Sequence, residues 1–323
     1  MGSAGGFIRL FEFMSRLCYK VTAMKEQETY EYIDEQQTVI RINDDTHPLY
    51  LIKGEKTFLI DSGLSAKAKK YAAALSECVE DGKIDTLLLT HSHYDHVGAC
   101  SYLQDIYKFN VLGSRDTAGL LNSSDIIEMI DFQNQEMKDL FSDSSDIQCK
   151  MPERLRTAAE GEKINVSADR YFEVIAAPGH SRCSLAYLLL PDRILFPGDS
   201  AGMMEKSGRK RPVFFSGFRD YENTLLRLAG TKSVMLAFAH TGYIKGKDRV
   251  KDYFDDSLDE ARKLKDRIRS ALMKSRDMMG IVNDILSQEY IPNSVLGSRE
   301  NYMMHFLAMS KIIDREFMTA NYQ

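Results

Sequence analysis

An α/β fold, with sheets forming most of the chain and helices gathered toward the C-terminus, is predicted by three observations. Short β-branched and aromatic runs, broken by Asp, Asn, Pro and Gly, follow residue 29 and return after Tyr171. Stretches of helical periodicity alternate with them and then take over beyond Gly246. Four of the strand ends carry His or Asp, and strand ends on one sheet edge converge in space.

With 323 residues, 44% of them hydrophobic, the chain has material for a large core. Charged residues make up 28% and the net charge is −5, so nothing global favours nucleic acid or an anionic membrane, and no nucleic-acid partner is expected. The five cysteines (Cys18, Cys78, Cys100, Cys149, Cys183) are scattered and form no C-x-x-C, which points to reduced thiols in a cytoplasmic protein.

Residues 1–28 read as an N-terminal extension. Phe7, Leu10, Phe11, Met14 and Leu17 have helical spacing, but Arg9, Glu12 and Arg16 interrupt any signal-peptide core, and Gly6 stands where a myristoylation motif needs Ser or Thr. A short amphipathic helix docking on its own protein or a partner is expected there, with a membrane-surface anchor as the alternative. No transmembrane segment is expected.

An antiparallel meander follows, with strands at Tyr30-Tyr32, Thr38-Ile42, Leu49-Ile52 and Thr57-Ile60. His47, beside Pro48, reads as a loop or strand histidine, with lining a pocket as the lesser alternative. A helix from about Ala66 to Val79 leads to an apolar strand at Ile84-Leu89. Then comes Thr90-His91-Ser92-His93-Tyr94-Asp95-His96-Val97-Gly98, three imidazoles and a carboxylate within six positions. His91 and His93, two apart on an extended segment, can turn the same way, while Asp95 and His96 reach a second point. One segment could thus serve two metal ions.

A helix from Val97, a strand at Phe109-Leu112 and two inserted helices within about 114–151 come next, with Ser123-Ser124-Asp125 as cap residues. Strands resume at Tyr171-Ala176, Ala186-Leu190, Arg193-Phe196 and Ser233-Phe238. Three of them run into Gly179-His180, Gly198-Asp199 and Ala239-His240. Five of the seven histidines therefore fall at strand ends.

Beyond His240 three or more helices are expected, at Asp248 to about Ser275, Asp277 to Glu289 and Arg299 to about Met318. Residues 246–323 as a whole hold as many Lys and Arg as Asp and Glu, so the region is no basic appendage. Tyr302, Phe306, Ile312 and Ile313 should pack on the sheets, with His305 near the roof of the site and able to reach substrate. Lys206, Arg209, Lys210 and Arg211 form the one local basic cluster, read as an exposed hairpin tip or as a clamp for an anionic substrate part such as a coenzyme A phosphate.

His91-x-His93-x-Asp95-His96, His180, Asp199 and His240, in this order, resemble the metal-binding set of the metallo-β-lactamase superfamily, especially its glyoxalase II-like hydrolases. The resemblance runs from about Tyr30 to Ile244. It implies a four-layer αβ/βα sandwich as a catalytic domain over 29–245, with 246–323 as a helical cap. It also implies two divalent metal ions (Zn, Fe or Mn), His91, His93 and His180 on the first, Asp95, His96 and His240 on the second, and Asp199 bridging. Asp95 and Asp199 would be the catalytic carboxylates, and a metal-bridging hydroxide would attack the substrate.

The long insert between His96 and His180, the run Arg211-Pro212-Val213-Phe214 and the helical tail look like PqsE-type thioesterases. A small-molecule thioester or carboxylic ester is therefore the expected substrate. Phosphodiesterase activity, or a regulatory binding role that keeps the metal site, are the alternatives, and a homodimer is left open. A β-lactamase proper is disfavoured because Asp199 is not the cysteine of several true lactamases. The tail after His240 does not look like the glutathione-binding tail of glyoxalase II.

Overall fold

The structure is a computed structural model that describes residues 29–138, 141, 146–205, 207–292 and 298–321. The amphipathic helix expected within residues 1–28, and Lys206 of the basic cluster, lie outside the described residues.

The first sheet has seven strands in sequential order: β1 (Tyr30–Tyr32), β2 (Val39–Ile42), β3 (Leu49–Ile52), β4 (Phe58–Ile60), β5 (Thr86–Leu88), β6 (Asn110–Gly113) and β7 (Leu155–Thr157). β1 to β4 are antiparallel, whereas β4 to β7 run parallel. Parallel neighbours need crossovers, and α1 (Ala68–Cys78) supplies one between β4 and β5. α2 (Tyr94–Val97) and α3 (Cys100–Tyr107) supply the next, and α4 (Arg115–Leu121) and α5 (Ser124–Lys138) the last.

The second sheet contains β8 (Lys163–Asn165), β9 (Tyr171–Ala176), β10 (Leu185–Leu190), β11 (Ile194–Phe196), β14 (Met235–Phe238) and β15 (Gly242–Lys245), in the order β15-β14-β11-β10-β9-β8. A two-stranded hairpin, β12 (Met203–Met204) and β13 (Lys210–Arg211), stands apart. α6 (Phe218–Gly230), α7 (Lys247–Lys274), α8 (Met278–Glu289) and α9 (Arg299–Asn321) complete the chain.

Strand alternation explains the layering. Val39, Tyr50, Ile52, Phe58, Ile60 and Leu88 point into one core with Phe172, Val174, Tyr187, Leu189 and Phe196 of the other sheet. Their neighbours Ile40, Leu51, Leu59 and Leu87 turn the other way, onto Tyr71, Leu75 and Leu103 of α1 and α3. On the far side, Leu188, Leu195, Leu236 and Phe238 meet Tyr221, Leu225, Tyr253 and Ile268 of α6 and α7. Both faces of both sheets are thus covered, which is why their strands read as continuous apolar runs. Helix, sheet, sheet and helix give the expected αβ/βα sandwich.

The C-terminal helices share the outer core of the second sheet, through Ile281, Val282, Tyr302 and Phe306 among others. The hairpin ties them down. Arg211 on β13 is buried and donates to Glu205, to both the carboxylate and the backbone oxygen of Glu289, and to Tyr302 Oη.

α6 has Phe218, Tyr221, Leu225 and Leu228 at helical spacing, a signal present in the sequence but absent from the elements expected there. β7 and β8 were also unanticipated, because edge strands with two of their three residues exposed carry little apolar pattern. Among the described residues no helix is long and apolar enough to cross a membrane.

Candidate metal centre

The C-terminal ends of β5, β9, β11 and β14 deliver the predicted residues to one place. β11 and β14 pair in parallel, and β9 and β11 both run antiparallel to β10 between them, so His180, Asp199 and His240 leave the same sheet edge. Two glycines allow the turns. Gly179 has φ +127°, and a Cβ there would lie 2.3 Å from the Tyr221 backbone; Gly198 has φ +54° and would meet the Thr90 side chain at 2.7 Å.

His91 and His93 sit on the extended segment after β5, as expected, but Asp95 and His96 belong to the short helix α2. The helical insert holds that turn in place. Buried Asn134 of α5 donates to Tyr94 O at 3.0 Å and accepts from Ser65 N at 2.8 Å.

His180 Nε2 lies 3.2 Å from His91 Nε2 and 3.0 Å from His93 Nδ1. Three nitrogens around a tetrahedral ion at about 2.0–2.1 Å would stand about 3.3 Å apart, so their spacing fits a cation. Tautomers are set from behind. His180 Nδ1 donates to Val213 O at 2.9 Å, and His91 Nδ1 is 3.1 Å from Thr90 Oγ1, whose proton goes to Asp61. The lone pairs on Nε2 therefore face inward.

Asp199 reaches both ends of the cluster. Its Oδ2 is 3.4 Å from His180 Nε2, 3.6 Å from His96 Nε2 and 3.3 Å from His240 Nε2, and Oδ1 is 3.1 Å from His240 Nε2. Asp95 Oδ2 lies 3.6 Å from His240 Nε2 and 3.8 Å from His96 Nε2. His240 Nδ1 is held by Thr46 O at 3.0 Å and His96 Nδ1 by Asp61 Oδ2 at 2.8 Å. His96 Nε2 is buried with no hydrogen-bond partner, an orphan that a cation would satisfy.

Burial pushes His91 and His93 below the ordinary imidazole range and His180 down to about 3, which keeps them in the neutral form that ligates metals. For His96 burial works in the same direction but is outweighed by Asp95, Asp61 and Asp199, which raise it well above 6.5. His240 is raised likewise, against burial, by Asp199 and Asp95. Although burial opposes it, Asp95 and Asp199 stay ionised far below the usual carboxylate range, held by neighbouring histidines. The site thus presents neutral imidazoles at one end and an attraction for positive charge at the other.

All seven residues singled out in the sequence meet here, in three groups of potential ligand atoms, two of which share His91. One of these groups adds His47, whose Nε2 lies 3.4 Å from Asp95 Oδ2; the favoured reading as a loop or strand histidine missed this, and the lesser one, lining a pocket, was nearer. Asp61 was also missed, although Asp61-Ser62-Gly63 at the end of an apolar strand is a turn signal in the sequence; in the structure Asp61 has φ +55°.

His305, Arg209 and Lys210 line a separate pocket of about 570 Å³ with Arg211, Leu264, Arg267 and Phe306. Phe215 links it to the centre, with ring centroids 5.1 Å from His180 and 5.0 Å from His305. The basic cluster is not a bare hairpin tip. Arg209, Arg211 and Arg267 all bind the Glu289 carboxylate, and Lys210 pairs with Asp256 at 2.7 Å.

The sequence profile of the metallo-β-lactamase superfamily matches residues 43–240, well over half of the chain and spanning every residue of the centre from His47 to His240. The chain belongs to this superfamily. It is accordingly a metal-dependent hydrolase. It is 27% identical over 213 residues to the metallo-β-lactamase fold-containing protein ST1585 of Sulfurisphaera tokodaii, covering 62% of this chain and 74% of that one. It is 28% identical over 178 residues to the hydroxyacylglutathione hydrolase GloC of Haemophilus influenzae, 55% of this chain and 74% of that one. Among solved structures, ST1585 superposes with a TM-score of 0.56 at 22% identity, covering 84% and 93% of the two chains. A β-lactamase domain protein from Burkholderia ambifaria gives 0.65 at 15% identity, covering 93% and 90%. These structural likenesses bear on the superfamily fold.

Proposed function

We propose that this superfamily member hydrolyses a thioester or carboxylic ester with two divalent cations, of Zn, Fe or Mn type. His91, His93 and His180 would hold the first, Asp95, His96 and His240 the second, and Asp199 would touch both. The carrying observation is that one Asp199 carboxylate lies 3.4 Å from His180, 3.6 Å from His96 and 3.1 Å from His240, histidines of both sets. Bound there, the cations supply Lewis acidity and lower the pKa of water toward neutrality.

The chain's own groups do the rest. Val213 O, Thr46 O and Asp61 fix the ring orientations, so the donor set needs little reorganisation. Phe215 against His93 and His180 supplies an apolar wall that excludes water from that side. Support for a thioester comes from GloC, since hydroxyacylglutathione is one. The pocket behind Phe215, with Leu264 and Phe306 beside arginines, would take an acyl or leaving group of mixed character. The buried free thiols of Cys78, Cys100, Cys149 and Cys183 support a reducing compartment such as the cytoplasm.

The test is elemental analysis of purified protein followed by thioester, lactone and phosphodiester substrates. About two transition-metal ions per chain and fastest turnover of a thioester are expected. Fewer than one ion per chain, or a preference for the phosphodiester, would overturn the reading.

A further inference from the structure

His47 reaches the centre from a loop that no ligand motif marks. The loop between β2 and β3 folds around Asp44, a buried carboxylate. Its Oδ1 accepts from the backbone N of Thr46 at 3.0 Å and the backbone N of His47 at 2.8 Å, and lies 3.1 Å from the Thr46 hydroxyl. Lys67 Nζ donates to the same oxygen at 2.6 Å and to Thr46 Oγ1 at 2.9 Å.

The Thr46 hydroxyl has one proton and two acceptors in reach, Asp44 Oδ1 at 3.1 Å and His47 Nδ1 at 2.8 Å. With the proton on the Asp44 side, Nδ1 carries the imidazole proton and the Nε2 lone pair faces Asp95 Oδ2 at 3.4 Å; with it on the Nδ1 side, Nε2–H donates to Asp95. A cation beside Asp95 selects the first arrangement, and the ligand atoms of His47, Asp95 and His240 all lie within 4.8 Å of one another. The His47 ring also stands edge-on to His240 at 4.8 Å, and Thr46 O, one residue back, holds His240 Nδ1.

We infer that His47 is a further ligand of the second divalent cation, alongside Asp95 and His240; this rests on the two-cation reading above. An added imidazole makes that position richer in nitrogen and so biases it toward Zn, Fe or Co and away from Mg. It also means that the meander, and not only the strand-end motifs, takes part in holding the ion.

The test compares metal-loaded wild type with His47→Ala and His47→Gln. Metal content is measured after dialysis against rising chelator, and visible spectra are recorded for the Co²⁺-loaded proteins. Wild type should retain two ions, and both variants should release the second at chelator concentrations at least about tenfold lower, with an altered Co²⁺ band. Circular dichroism of the metal-free proteins checks folding, and the Gln variant, close in size, stands in if the Ala variant fails to fold. Wild-type retention and spectrum in His47→Gln would overturn the ligand role, because an amide can still orient Asp95. A wild type that never holds a second ion would remove the two-cation reading itself, an outcome distinct from two ions held equally well by all three proteins.

Discussion

His96 Nδ1 lies 2.8 Å from Asp61 Oδ2, and that carboxylate also accepts from the backbone N and hydroxyl of Thr90, each at 2.8 Å. One side chain thus fixes both the tautomer of His96 and the start of the ligand-bearing segment. Asp61→Asn offers an amide in place of the second carboxylate oxygen and weakens this lock. Metal retention is expected to fall about 10–100-fold, measured by chelator competition, with little change in melting temperature of the metal-free protein.

Removing the shared carboxylate should be worse. Asp199→Ala is expected to reduce both metal retention and kcat by more than about 100-fold, beyond the loss for an outer-shell group. An Asp199→Ala protein that still bound two ions and turned over a thioester normally would exclude the shared role.

The pocket behind Phe215 makes a prediction about substrate. Arg209→Ala with Lys210→Ala should raise KM for an acyl-CoA while leaving that for a short neutral thioester unchanged, since only the first carries phosphates. Equal effects on both substrates would show that Arg209 and Lys210 serve Glu289 and Asp256 alone.

Glu289 is surrounded by Arg209, Arg211 and Arg267, and Arg211 is itself buried. Glu289→Gln leaves those charges uncompensated. A loss of about 3–5 kcal/mol is expected in chemical denaturation, the cost of breaking a buried ion pair from one side.

Asp44 gives a pH-dependent prediction. Burial would raise its pKa, but Lys67 and Lys70 prevail and hold it far below the usual carboxylate range. A depressed folded pKa stabilises the protein fully above the unfolded value of about 4, and the benefit fades as pH falls below that toward the folded pKa. The stability gap between wild type and Asp44→Asn should therefore be constant above about pH 4 and narrow below it. A gap that instead widened on acidification would rule out the Asp44 to Lys67 pair as its source.

The sequence by itself determined the strand-end pattern and the seven candidate ligands, because each is a local matter. His91 to His96 are neighbours in the chain, and glycine before His180 and Asp199 marks a turn wherever the strand ends. The apolar runs of β2 to β5 and β9 to β11 likewise announced strands buried on both faces. Tertiary structure decided which atoms face which. Asp61 and His47 join the centre only because β4 pairs in parallel with β5 and the β2–β3 loop folds over β14, contacts between segments that no spacing encodes. The basic run Arg209-Lys210-Arg211 reads as exposed charge until Glu289, far along the chain, is brought beneath it by packing of α8. Local chemistry is written in neighbouring residues, whereas the partner that gives a charge or a lone pair its role is chosen by sheet register and helix packing.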